Sequence, residues 1–201
     1  MRLKRTLDIV LSGLGLLVLA PFLLILAVLI KMDSPGPALY RGLRVGLNGK
    51  PFHMLKFRTM VVDAENIGPS STAEHDPRLT RLAGVLRRYK LDEFPQLISV
   101  LKGDMSFVGP RPQVQWATDL YSEEERALLS VRPGITDYAS LLFRNEGEIL
   151  KGRADADQAY LELIAPEKIR LGLEYVNTRS LWVDLKLIFL TIIGTLGDKG
   201  R

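Results

Sequence analysis

From Ile9 to Ile30 the chain is almost wholly apolar, broken only by Ser12, Gly13, Gly15 and Pro21, and this run constrains everything after it. It is long enough to cross a bilayer as one helix. Basic residues flank both ends, however: Arg2, Lys4 and Arg5 before it, Lys31, Arg41 and Arg44 after it. Positive flanks favour the cytoplasmic side, so both ends belong on the same face of the membrane. Pro21 sits midway, and each half would reach only about 15 to 18 Å, roughly half the hydrocarbon depth. Together these features predict a re-entrant hairpin kinked at Pro21. A plain single span is the alternative. A cleaved signal peptide is disfavoured by the length of the run and the lack of a clear small-residue cleavage site.

At 201 residues and 47% hydrophobic, the chain suffices for one compact domain plus an appendage. We therefore divide it into a membrane anchor over 1–33 and a cytosolic or interfacial domain over 34–201. There is no cysteine, and His53 and His75 are the two histidines, which argues against a zinc centre. A required metal would be a hard ion held by carboxylate and phosphate oxygens, such as magnesium. The net charge of +4 and pI near 9.4 suit an anionic membrane or a phosphorylated substrate. No basic run is interleaved with aromatics, which argues against nucleic acid.

Charges of both signs concentrate between Arg87 and Arg111: Arg87, Arg88 and Lys90, then Asp92 and Glu93, then Arg111 between Pro110 and Pro112. Leu79, Leu82, Val85 and Leu86 recur at helical spacing and predict a helix from Asp76 to Tyr89. A second helical run follows Pro95, placing Asp92 and Glu93 at its start, where the helix N-terminus and the preceding cations favour the ionised form. Neighbours on a helix point roughly 100° apart, so the two acids should differ in role. One would attack or bind metal while the other orients or moves a proton. The bland reading is an N-cap aspartate and a solvated glutamate.

Ala38–Val45 and Phe52–Met60 read as a β-hairpin turning at Asn48-Gly49, with Met54, Lys56 and Arg58 on one face. Two cations projecting together could hold an anion; a solvated edge strand is the plain alternative. The segment from Asp63 to Pro77 reads as a mobile loop, either a lid or a simple connection. Prolines stiffen Arg111 for a bidentate grip on phosphate, and Pro133 does the same for Arg132. Ser122 to Glu125 is a capping box of structural meaning only. Helices are expected over Asp155–Ile164 and Pro166–Val176. Leu181–Leu196, with Trp182, reads as an amphipathic interfacial helix or a buried core helix.

These residues carry a resemblance. The chain resembles the bacterial sugar transferases, specifically the small monotopic phosphoglycosyl transferases, through its proline-centred anchor, Lys56-Phe57-Arg58-Thr59-Met60, Leu91-Asp92-Glu93, Asp104 to Pro112 and Val131 to Thr136. The resemblance implies an α+β, mainly helical fold with a re-entrant membrane helix kinked at Pro21, a small β-hairpin and interfacial amphipathic helices. It implies transfer of a phosphosugar from a UDP-sugar to polyprenol (undecaprenyl) phosphate, releasing UMP, as the first membrane step of bacterial glycoconjugate assembly. Asp92 would be the nucleophile, forming a covalent aspartyl-phosphosugar. Glu93 would be its partner, deprotonating the lipid phosphate or helping to place the metal. Magnesium, with manganese as a substitute, would lie near Asp92. Lys56, Arg58, Arg87, Arg111 and Arg132 would hold phosphate oxygens. The implied setting is monotopic, on the cytoplasmic face of the bacterial inner membrane among its lipids, with a homodimer compatible and no nucleic acid involved.

Two segments depart from the family pattern. Ala20 precedes the kink proline where members often have serine, and Asp137-Tyr138-Ala139-Ser140 stands where members often have Gly-Trp-Ala-Gln. The second departure, followed by Phe143-Arg144-Asn145-Glu146, leaves the sugar open. The rival enzyme is a polyprenol-phosphate glycosyltransferase that releases UDP. The rival of another class is a membrane-tethered scaffold in which the acidic pair is only a helix cap.

Overall fold

The computed structural model describes residues 2–68, 71, 76–153 and 155–197. The apolar run lies inside one helix, α1 (Arg2–Asp33), with Pro21 within it. A proline removes its own N–H but its fixed φ is already helical, so the chain can carry on past it. Leu26 and Ile30 bury one face of the second half against Phe57 and Leu86. Full burial of such side chains stabilises by about 1.5–3 kcal/mol each. The opposite face, including Leu17, Val18, Leu24 and Ile25, is exposed.

The hairpin forms as expected: β1 (Leu39–Val45) pairs antiparallel with β2 (Pro51–Phe57), from Leu39 opposite Phe57 to Val45 opposite Pro51. Asn48 and Gly49 both take positive φ, 57° and 75°, the conformation for which an Asn-Gly turn is suited. Phe52 and Met54 face inward onto Val100 and Met105.

Arg58 does not share the direction of Lys56. Strand β2 ends at Phe57, and the Arg58 guanidinium turns back to donate to Pro37 O (2.6 Å), Ser34 O (2.8 Å) and Ser34 Oγ (2.8 Å). The proline-rich segment after α1 has few N–H groups of its own, so an outside donor satisfies its carbonyls. Arg58→Met should therefore lower unfolding stability by about 2–4 kcal/mol, because three hydrogen bonds from a buried guanidinium are lost. Thermal unfolding in detergent would check this, and an unshifted transition would refute the clamp.

The helix expected over Asp76–Tyr89 is shortened to α2 (Ala83–Arg88). Asp76 accepts from the backbone N–H of Arg78 (2.9 Å) and pairs with its guanidinium (2.6 Å), a side-chain turn that competes with helix formation. Met60 and Leu79 form a bridge there instead. Residues 69, 70 and 72–75 of the expected lid or connection, with His75, lie outside the described residues.

After α3 (Gln96–Lys102), β3 (Ser106–Val108) pairs in parallel with β4 (Gly134–Thr136), a second small sheet the sequence reading missed. The helices α4 (Gln115–Asp119), α5 (Tyr138–Leu142), α6 (Glu146–Ile149), α7 (Ala156–Leu163), α8 (Ala165–Thr178) and α9 (Leu181–Gly197) complete the described chain. The capping box is present: Ser122 N–H donates to Glu125 (2.8 Å) and Glu125 N–H to Ser122 Oγ (3.3 Å), opening a 3-10 helix over Glu125–Ser130. The fold is thus mainly helical with a small β component.

Helix α9 is not a wholly buried core helix. Leu187 is buried, and Val183 and Ile188 pack beside Val108 and Tyr175, while Trp182 is 82% exposed and Phe189 and Ile192 also face outward. The first turns of α1 are tied into the same region. Lys4 donates to Asp184 (2.7 Å) and Val108 O (3.0 Å), Arg5 to Val100 O (2.6 Å) and Leu101 O (2.8 Å). Asp8 accepts from Ser106 Oγ (3.1 Å) and Phe107 N–H (3.2 Å).

Candidate active site

Between α2 and α3 the backbone reverses at Lys90, whose φ of 54° is left-handed, and Leu91–Glu93 forms one 3-10 turn before Pro95. This turn delivers Asp92 and Glu93 to a cleft of about 900 Å³, also lined by Lys56, Arg87, Lys90 and Arg111. Lys56 arrives from β2, on the face shared with Met54.

Arg111 is aimed by backbone rather than by side-chain packing. Gly109 N–H donates to Thr136 O (3.0 Å) and Gly134 N–H to Pro110 O (3.1 Å), so two chains meet at a pair of glycines. A Cβ on either glycine would collide with the facing backbone. On the far side, Val45 N–H donates to Gln113 O (2.9 Å). The proline-flanked arginine is therefore pinned before and after its own position.

The two acids occupy opposite electrostatic states. Glu93 accepts from Arg111 through both oxygens (2.5 and 3.2 Å) and from Lys56 (3.2 Å). Burial alone would raise its pKa, but the charges of Arg111 and Lys56, with the Arg111 hydrogen bond, hold it well below the usual carboxylate range. The Arg111 guanidinium is raised in turn, chiefly by Glu93. Asp92 is 6% exposed, its nearest cation is Lys56 at 4.0 Å, and its Oδ1 has no hydrogen-bond partner among the described residues. Burial pushes its pKa up, opposed by Lys56. The sequence argument rested on the helix start and the preceding cations; at Glu93 it is Arg111 and Lys56, distant in sequence, that chiefly favour ionisation, and at Asp92 desolvation prevails.

This arrangement leaves one carboxylate oxygen free beside a cluster of cations. Among the described residues no three histidine or carboxylate side chains are grouped to hold a metal. Both Glu93 oxygens are occupied by cations, so of the acidic pair the Asp92 carboxylate is the available donor. That donor set suits magnesium, which is often held by one or two carboxylates with substrate phosphates and water filling the remainder.

A family model described as bacterial sugar transferase matches residues 1–198. The chain belongs to the bacterial sugar transferase family. The chain is 40% identical over 192 residues to the UDP-glucose:undecaprenyl-phosphate glucose-1-phosphate transferase of Caulobacter vibrioides, covering 94% of the chain and 68% of that protein. It is 37% identical over 198 residues to the Escherichia coli protein of the same name, covering 94% of the chain but only 39% of the relative. The exopolysaccharide production protein PSS of Rhizobium leguminosarum is 40% identical over 201 residues, with 96% of the chain and 95% of the relative covered. The transferase thus spans nearly all of one relative and well under half of another.

Of the residues expected in its site, Asp92, Glu93, Lys56, Arg87 and Arg111 line the cleft together. Arg58 and Arg132 are placed elsewhere: Arg58 clamps the segment after α1, and Arg132 donates through Nε to Gly103 O (2.8 Å), at the end of α3. The Arg132 guanidinium thus serves a backbone acceptor. The cleft also includes Arg44, Gln113, Tyr160 and a Glu146–Lys168 pair at 2.5 Å. Arg44 was visible only as a flanking charge, and the 22-residue separation of Glu146 and Lys168 follows no local period.

Proposed function

We propose that this chain transfers a phosphosugar from a UDP-sugar to polyprenol phosphate, the undecaprenyl form in particular, through a covalent intermediate on Asp92. The observation that carries this reading is the free, buried Oδ1 of Asp92 next to a Glu93 whose oxygens are all engaged. Asp92 Oδ1 attacks the β-phosphorus of the donor, forming an acyl phosphate as the bond from that phosphorus to the bridging oxygen breaks and UMP leaves with the electron pair. A phosphate oxygen of the lipid then attacks the same phosphorus, and the Asp92 carboxylate departs, leaving a diphosphate-linked sugar. Covalent catalysis divides one displacement into two easier ones. A raised pKa makes Asp92 a more basic, and so a stronger, nucleophile.

Glu93, held low by its partners, is a poor proton acceptor. Its role here is to hold Arg111 and Lys56 in place facing the phosphates, where preorganised charge stabilises the developing anion. Arg87 lines the same wall. Magnesium, when bound through Asp92 and substrate oxygens, supplies charge neutralisation for the departing nucleotide.

The membrane setting has support from α1. At about 1.5 Å per residue a 32-residue helix is about 48 Å long, yet its first turns bond to β3, α3 and α9 while its last turns pack on Phe57 and Leu86. Both ends being held by one body fits an anchor entering one leaflet, bent at Pro21, better than a span that exits on the far side. The exposed apolar faces of α1 and α9 would rest in that leaflet, on the cytoplasmic side where nucleotide-sugars are available.

The nucleotide product tests the reaction. With UDP-glucose or UDP-N-acetylgalactosamine, magnesium and undecaprenyl phosphate in detergent, chromatography should find UMP in step with lipid product. Release of UDP instead would assign the chain to the rival glycosyltransferase class.

A further inference from the structure

The cleft has a second polar pole whose residues the reaction above does not use. Glu146 and Lys168 form an ion pair there, with Lys168 Nζ 5.0 Å from the Tyr160 ring centre and 6.0 Å from that of Phe143. Beside them, Asp137 is 3% exposed and accepts from Ser140 N–H (2.6 Å). The Ser140 hydroxyl is buried and lines the cleft, yet it has no hydrogen-bond partner among the described residues. A buried hydroxyl without a partner costs stability, so its presence at a cleft wall points to a ligand that completes it.

Arg111 joins this pole to the acidic pair. It is bonded to Glu93 on one side, and Glu146 and Asp137 also act on its charge. Lys168 is lowered by burial, and its charge is in turn influenced by Arg111 and Asp137. Apolar side chains of Leu19, Leu97, Ile188 and Ile192 also line the cleft and suit a lipid chain.

Resting on the reading of Asp92 as the group that attacks the β-phosphorus, we propose that Asp137, Ser140, Glu146 and Lys168, walled by Phe143 and Tyr160, receive the sugar ring of the donor. The sugar is bonded directly to the phosphorus under attack, so it must lie one linkage from the groups that hold that phosphate. Arg111 is such a group, and this pole adjoins it. Carboxylates accepting from ring hydroxyls, an ammonium and a hydroxyl donating, and aromatic walls for C–H faces make a set suited to a carbohydrate. Arg144 also lines the cleft, donating to Thr195 (3.2 Å) of α9 and lying over Gly194.

The test uses the full chain in detergent with UDP-glucose and UDP-N-acetylgalactosamine as donors and UMP as product inhibitor. Ser140→Ala should fold as stably as the parent or more so, since it deletes an unsatisfied group, yet lose about fivefold or more in kcat/KM for the better donor. Glu146→Gln should lose about tenfold or more. Inhibition by UMP, which has no sugar, should be unchanged in both. Equal weakening of UMP would assign these residues to the nucleotide and overturn the proposal, as would unchanged donor kinetics in both variants. Failure of the parent protein to release UMP from any donor would defeat the underlying reading, and the subsite with it, before any variant is compared.

Discussion

Asp92→Asn should abolish turnover, by about 10⁴-fold or more, while leaving the fold as stable as the parent or more stable. The loss follows because an amide oxygen cannot form the acyl phosphate. The stability follows from burial. The folded pKa of Asp92 is raised above its unfolded value of about 3.9, so its contribution is fully present below that value and is lost as pH rises through the folded pKa. The amide does not ionise, so the variant should gain on the parent as pH moves from acid toward neutral. Parallel thermal unfolding across that range would check it. A scaffold whose acidic pair is only a helix cap would tolerate the substitution, so retained activity would favour that class.

Arg111→Met should have the second largest effect, and on both properties at once. It leaves Glu93 buried with only Lys56 as counter-ion. Breaking a fully buried pair costs about 3–5 kcal/mol, and because the Arg111 side chain keeps 28% exposure, about 2–4 kcal/mol is expected here. Turnover should fall by about 10²–10³-fold through loss of a preorganised charge at the phosphates. Restoring neutrality with Arg111→Met plus Glu93→Gln should recover much of the stability and none of the turnover. The pH dependence carries the opposite sign from that of Asp92. Glu93 is depressed in the folded state, so its stabilisation is present above the unfolded pKa of about 4.3 and lost as pH falls through the lower folded value. Without Arg111 that contribution is lost at neutral pH already, so the acid limb of the stability profile should flatten, and an unchanged limb would contradict the assignment of that ion pair.

Much of the site was legible because its signals are local. The Asn48-Gly49 turn, the Ser122 capping box, and the run from Lys90 through Pro95 each depend on a few adjacent residues, and the structure forms them. The stiffness of Arg111 was also visible in its flanking prolines. Its partner was not, because the 18-residue separation from Glu93 is closed by the approach of Gly109 to Gly134. Arg58 and Arg132 show the limit of counting cations. Each is drawn to backbone carbonyls at the end of a helix, a demand that residue spacing does not display. The helix expected from Asp76 failed for a related reason, since Asp76 and Arg78 satisfy each other locally. The sugar-facing pole depends on α6 meeting α8, and nothing in either segment alone announces it.

The covalent step is the central claim, and intact-protein mass tests it most directly. The full chain, incubated with magnesium and a panel of UDP-sugars but no lipid acceptor, should gain the mass of one phosphosugar with one equivalent of UMP, and Asp92→Asn should gain nothing. Addition of polyprenol phosphate should then discharge the adduct. No adduct from any donor, with UMP appearing only once the lipid is added, would contradict the covalent intermediate and favour direct transfer between the two substrates.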